Sequence, residues 1–172
     1  METERTLLRH WNSSDAPRLF ELAKDKEIGP NCGWNPHRDV KESEFIINNV
    51  FNGKYCFCIV DKKTNLPIGN IEILNVGHTK MVELAAECEL GFWLGRNYWN
   101  QGIMIEVVEF IVDYCFKELK MKAIYCHYEE GNVQAKAVED KVGFKYDHSE
   151  SDVYRKLIDK HCLLHFTKLE RN

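Results

Sequence analysis

Only four prolines interrupt the 172 residues, basic side chains do not outnumber acidic ones, and no apolar run is long enough to span a bilayer. So few breakers beside an ordinary apolar share exclude a disordered or fibrous chain and predict a folded one. Twenty-three Lys and Arg stand against 27 Asp and Glu, a net charge of −4. Nothing in that balance attracts nucleic acid or an anionic membrane, so an anionic ligand has to be held locally. Met1 to Arg5 lacks the basic-then-apolar order of a secretion signal, and a cytoplasmic location is expected. Seven scattered cysteines, an odd number, predict reduced thiols, with Cys115 and Cys126 in the core. Cys56 and Cys58 alternate within an apolar run and have no matching Cys/His pair elsewhere, so no metal is expected.

The length suits one domain, residues 1–172. Thr6 to Trp11 reads as a strand, and Ser14 or Asp15 as the cap of a helix with Pro17 in its first turn. A turn-rich stretch from Gly29 to His37, a possible substrate lip, leads to a helix over Lys41 to Asn49. Tyr55–Val60 and Ile68–Leu74 form a predicted hairpin, and Glu83–Leu94 a long strand. Within that strand, alternation puts Cys88, Leu90, Phe92 and Leu94 on one face and Glu87, Glu89, Gly91 and Trp93 on the other. A helical stripe follows from Ile103 to Leu119, then a strand over Ala123–Tyr128 and a helix over Gln134–Lys141 that ends at Gly143. Val153–Leu157 and His161–Leu169 close the chain as a hairpin. The elements describe an α+β sheet domain.

The strand ending at Leu94 runs through a loop containing Gly102 straight into the helix at Ile103. Such a junction offers unpaired N–H groups at the positive end of a helix dipole, and glycine lets a phosphate approach the backbone. The segment Leu94-Gly-Arg-Asn-Tyr-Trp-Asn-Gln-Gly-Ile-Met-Ile-Glu106 resembles the pyrophosphate loop of the GNAT acetyltransferases, especially the ribosomal-protein N-terminal acetyltransferase (RimJ/RimL-like) branch. A second block, Asn132 to Phe144, is similar to the family's asparagine-to-glycine-phenylalanine segment. Arg5-Thr-Leu-Leu-Arg9 with Trp11 and Asp15, and Gly33 to His37, resemble the same branch. Three positions depart from the pattern: Asn100 for a frequent glycine, Met104 for a glycine or alanine, and Ala135 for a common serine.

The resemblance implies a mixed, mostly antiparallel sheet of six to seven strands, splayed at the cofactor site, with about four helices. It implies acetyl-CoA as co-substrate and an amine acceptor, a protein N-terminus or a small amine. It puts the pantetheine arm on the backbone of Phe92, Trp93 and Leu94, and the pyrophosphate on Trp99, Asn100, Gln101, Gly102, Ile103, Met104 and Ile105. Asn132 is expected to bond the pantetheine or the following helix, and Lys136, Lys141 and Arg96 are candidate partners of the phosphates.

Acetyl transfer needs a neutral amine, a donor for the oxyanion and a fate for the thiolate. An α-amine is roughly 14% neutral at pH 7 and a lysine only about 0.04%, so an α-amine asks little of a base. Glu89 and Glu87 are the candidate bases, with His127 on the adjoining strand as another, though a satisfied structural histidine is the better reading there. Tyr146 and Tyr154 are the available acids. A non-catalytic acyl-CoA-binding module is the alternative.

Overall fold

Runs of helices and runs of strands follow one another along the chain in the computed structural model, which describes residues 1–75 and 86–170. Among these residues seven strands form one sheet in the order β1-β2-β3-β4-β5-β7-β6. The chain divides into two compact units: residues 1–72 with 92–103, and residues 73–91 with 104–172.

In the first unit β1 (Thr6–Arg9) pairs antiparallel with β2 (Cys56–Asp61), which pairs antiparallel with β3 (Leu66–Asn75). The predicted hairpin forms as expected, with Asn65 in the left-handed region at its turn. Helices α1 (Ala16–Ala23), α2 (Gly29–Cys32) and α3 (Val40–Asn49) also belong here, α2 being a single turn inside the expected loop. Leu19, Leu22, Ile28 and Ile47 meet Cys56, Cys58, Val60 and Trp93 in one apolar cluster. Burial pushes the Cys56 and Cys58 thiols well above their usual range. One detail of the capping differs from expectation. Asp15 makes no side-chain cap to α1; its carboxylate accepts the Asn12 N–H and both Arg9 Nη groups, closing a 3₁₀ turn over Ser13–Asp15.

Gly69 on β3 fixes how closely the end of β4 (Glu87–Leu94) can lie. A Cβ there would stand 2.3 Å from the Trp93 carbonyl oxygen and 2.7 Å from Leu94 Cδ2. Because one obstacle is backbone, Gly69→Ala is expected to cost about 1–3 kcal/mol, read from denaturant unfolding.

In the second unit β4 runs parallel to β5 (Ala123–Glu129), β5 pairs antiparallel with β7 (Lys160–Glu170), and β7 with β6 (Lys145–Arg155). Helix α4 (Ile103–Lys117) buries Val107, Val108, Ile111, Val112 and Cys115, the predicted stripe. Helix α5 (Val133–Val142) ends at Gly143, whose φ of 105° is the left-handed C-cap expected there. The parallel pairing stops after Glu87↔Ala123, Cys88↔Ile124 and Glu89↔Tyr125, although β4 continues to Leu94 and β5 to Glu129.

Two strand limits differ from the sequence reading. Residues 83–85 of the expected long strand lie outside the described residues. The closing hairpin is far longer than predicted, because β6 from Lys145 to Glu150 is exposed throughout and carries no apolar alternation.

Candidate active site

The candidate site residues fall in two local constructions, one in each unit. In the first, β4 ends at Leu94 and the chain makes a 3₁₀ turn over Arg96–Tyr98 before reaching Gln101 and Gly102. Asn100 and Gly102 both have left-handed backbones, φ 58° and 73°. Asparagine is among the few residues besides glycine that tolerate this region, which accounts for Asn100 where the related pattern has glycine. The loop is tied down from three sides. Trp99 Nε1 donates to the Leu94 carbonyl at 2.8 Å, Gln101 Nε2 to the Asn97 carbonyl at 2.7 Å, and Arg5 Nη1 to the Gln101 carbonyl at 2.7 Å. A Cβ on Gly102 would lie 3.6 Å from Arg5 Nη2, so the Arg5 guanidinium, just before β1, stands against the glycine. Trp99 thus shapes the loop through its side chain. Arg5, which sequence reasoning noted only as part of a resemblance, supplies a cation at this point.

In the second unit a row of polar groups crosses the sheet. Glu89 is only 2% exposed. Its Oε1 accepts from His127 Nδ1 at 2.9 Å, and its Oε2 is buried with no partner among the described residues. His127 Nε2 accepts from Arg155 Nη2 at 2.9 Å. Glu129, next on this face of β5, is paired with Lys160. Burial pushes the Glu129 carboxyl up, but the Lys160 ammonium overrides it and holds the group below the usual carboxylate range. Proton abstraction from an amine requires a carboxylate oxygen within hydrogen-bond reach of the proton, directly or through one water.

A model of the acetyltransferase (GNAT) domain family matches residues 5–145. The chain belongs to the GNAT acetyltransferase family. It is an acetyl-CoA-dependent N-acetyltransferase. Among curated relatives, an N-acetyltransferase named p20 from Bacillus licheniformis is 27% identical over 148 residues, 83% of this chain and 80% of the relative. Two solved structures share the fold. Spermidine N-acetyltransferase from Vibrio cholerae, in complex with CoA and spermine, aligns with a TM-score of 0.76 at 17% identity, over 96% of this chain and 95% of that one. Ribosomal-protein-S5-alanine acetyltransferase from Vibrio fischeri aligns at 0.75 and 20%, over 100% and 96%.

The other residues singled out in this acetyltransferase are placed unevenly. Glu87 lies half-buried two residues before Glu89. Ile103 and Met104 bury their side chains at the start of α4, as backbone-only contacts would allow. Asn132 caps α5, its side chain accepting from Ala135 N at 3.1 Å, so of its two expected roles the helix has the oxygen. Lys136 pairs with Asp140 and Arg96 with Asp25, while Lys141 is exposed on α5. The Tyr146 ring is exposed and its hydroxyl sits 3.0 Å from Ser149 Oγ, whereas Tyr154 donates to Asp159. Neither hydroxyl joins the Glu89 row.

The turn-rich stretch expected to form a substrate lip is an aromatic corner. His37 Nδ1 lies 2.8 Å from Ser43 Oγ, and burial pulls the imidazole below its usual pKa, so it is neutral near pH 7. Trp34 meets both the His37 ring and, edge-on at 6.0 Å, Trp93, whose Nε1 is buried without a partner among the described residues.

Proposed function

We propose that this enzyme acetylates a protein N-terminal amine or a small-molecule amine by direct attack on the thioester in a ternary complex, with Glu89 receiving the amine proton. The carrying observation is the buried Glu89 carboxylate, held through Oε1 by His127 and left without a partner at Oε2. Residues 1–172 are read as one acetyltransferase domain, since the family match runs from 5 to 145 and draws on both units. A cytoplasmic location fits a chain in which no described helix is long and apolar enough to cross a membrane.

Acetyl-CoA supplies the activated carbonyl, and the residues present suit it. Phe92, Trp93 and Leu94 lie on β4 past the point where its pairing with β5 stops, which leaves backbone for the pantetheine. The loop from Trp99 through Gly102 to the helix residues Ile103, Met104 and Ile105 offers left-handed turns, a residue without Cβ and the Arg5 cation to a pyrophosphate. Lys136 and Lys141 on α5 and the amide of Asn132 complete the proposed cofactor contacts. Glu87 stands as an auxiliary carboxylate and Tyr146 as the proposed acid, although a leaving thiol with pKa about 8.5 makes weak demands on one.

The structural relatives are named for spermidine and for an alanine of ribosomal protein S5, and each can present a primary amine. The test compares turnover on peptides with a free α-amine, on N-blocked lysine peptides and on polyamines. Acetylation of the first or last set is expected. Activity confined to N-blocked lysine peptides would overturn the assignment.

A further inference from the structure

Arg155 is the last residue of β6, yet its guanidinium reaches His127 in the middle of β5, two strands away in the sheet order. The hairpin itself makes this reach. Register shifts at Tyr146/His148 and Glu150/Val153, with Asp152 left-handed at φ 62°, bend β6 and β7. Val153 and Ile158 from the tip pack on Cys162, Leu164 and Phe166. Lys160, across from Arg155 in the register, pairs with Glu129 on β5.

The contact decides the imidazole's tautomer. A guanidinium has donors and no acceptor, so His127 Nε2 must accept, and the ring proton of the neutral imidazole sits on Nδ1. There it is donated to Glu89 Oε1. The other tautomer would set Nε2–H against an Arg155 N–H and turn the Nδ1 lone pair toward a carboxylate oxygen, two repulsions in place of two bonds.

We propose that Arg155 is a positioning residue for acetyl transfer: it fixes His127 as the Nδ1–H tautomer, and His127 in turn holds Glu89 by Oε1, leaving Oε2 for the proton of the incoming amine. The inference rests on Glu89 as the base. Arg155 itself touches no reacting atom. Its second terminal nitrogen, Nη1, is buried without a hydrogen-bond partner among the described residues, so Nη2 makes the guanidinium's contact with His127.

The test combines nitrogen NMR of His127 with steady-state kinetics on Arg155→Met, Arg155→Lys and Glu89→Gln. The wild-type enzyme is expected to show a single Nδ1–H tautomer. Arg155→Met, left with only the Glu89 carboxylate to bias the ring, should populate the Nε2–H tautomer measurably and lower kcat by about a hundredfold while the KM for acetyl-CoA stays put, the size expected when a reacting group is displaced by a fraction of its working distance. Arg155→Lys, which keeps a donor, should retain the tautomer and most of kcat, and it serves as the folded control if the methionine variant is unstable. An Nδ1–H tautomer as exclusive in Arg155→Met as in the wild type, or full kcat after the preference is weakened, overturns the role of Arg155 alone. Full kcat in Glu89→Gln overturns the base assignment and this inference with it.

Discussion

Glu89→Gln is expected to lower kcat by about a hundredfold to ten-thousandfold, the usual worth of a positioned general base, with acetyl-CoA affinity unchanged. The substitution is nearly isosteric, and the amide oxygen still accepts the His127 Nδ1–H, so the buried row keeps its shape. What disappears is the ability of Oε2 to take a proton. The deficit should be largest at low pH, where the acceptor amine is protonated, and should shrink as pH approaches the amine's own pKa, because a neutral amine no longer needs the base. It should also be larger for a polyamine or lysine-type amine than for an α-amine, since the former is roughly 300 times scarcer as free base at pH 7. Isothermal titration with CoA separates binding from chemistry. A variant with wild-type kcat across the pH range would remove Glu89 from the reaction.

The fold was legible where local pattern and burial agree. The α4 stripe of Val107, Val108, Ile111 and Cys115 is buried as its period predicts, and Gly143 takes the left-handed φ that a C-cap requires. The loop was legible for the same reason, since a strand, a glycine and a helix in sequence fix a local geometry. Glu89 and His127 were both nominated from alternation and neighbourhood. Their partnership with Arg155 was not, because it depends on a hairpin bent by two register shifts and on residues 28 positions apart. The first half of β6 escaped notice because a strand exposed on both faces has no apolar signature. The candidate phosphate cations fared differently. Lys136 pairs with Asp140 four residues on, a spacing that helix geometry alone suggests. Arg96 pairs with Asp25, which no local rule connects.

Glu139 marks the other limit of local reading, and it carries the second large effect. In a polar helical stretch between Val138 and Asp140 it looks like a solvated charge, but the helix turns it inward and leaves it 1% exposed. Thr167 Oγ1 of β7 donates to its Oε2 at 2.7 Å, and Oε1 is buried without a partner among the described residues. Burial raises the carboxyl from its ordinary 4.5 to about 8, against the opposing pull of the Thr167 bond. The folded protein therefore keeps a proton that the unfolded chain releases once pH passes 4.5. Between there and about pH 8 the unfolded state binds fewer protons, so stability falls as pH rises, by at most about 1.4 kcal/mol per unit, and levels off above the folded pKa. Glu139→Gln keeps the shape of the protonated acid and an acceptor for Thr167, but has nothing to titrate. The variant is expected to match the wild type near pH 4.5 and to exceed it by roughly 3–5 kcal/mol at pH 8, with a Tm higher by several degrees at the alkaline end. Urea unfolding at a series of pH values reads the difference directly. Parallel stability curves for the two proteins would mean that the Glu139 carboxylate is already ionised inside the fold, with its charge balanced by neighbours rather than suppressed by burial.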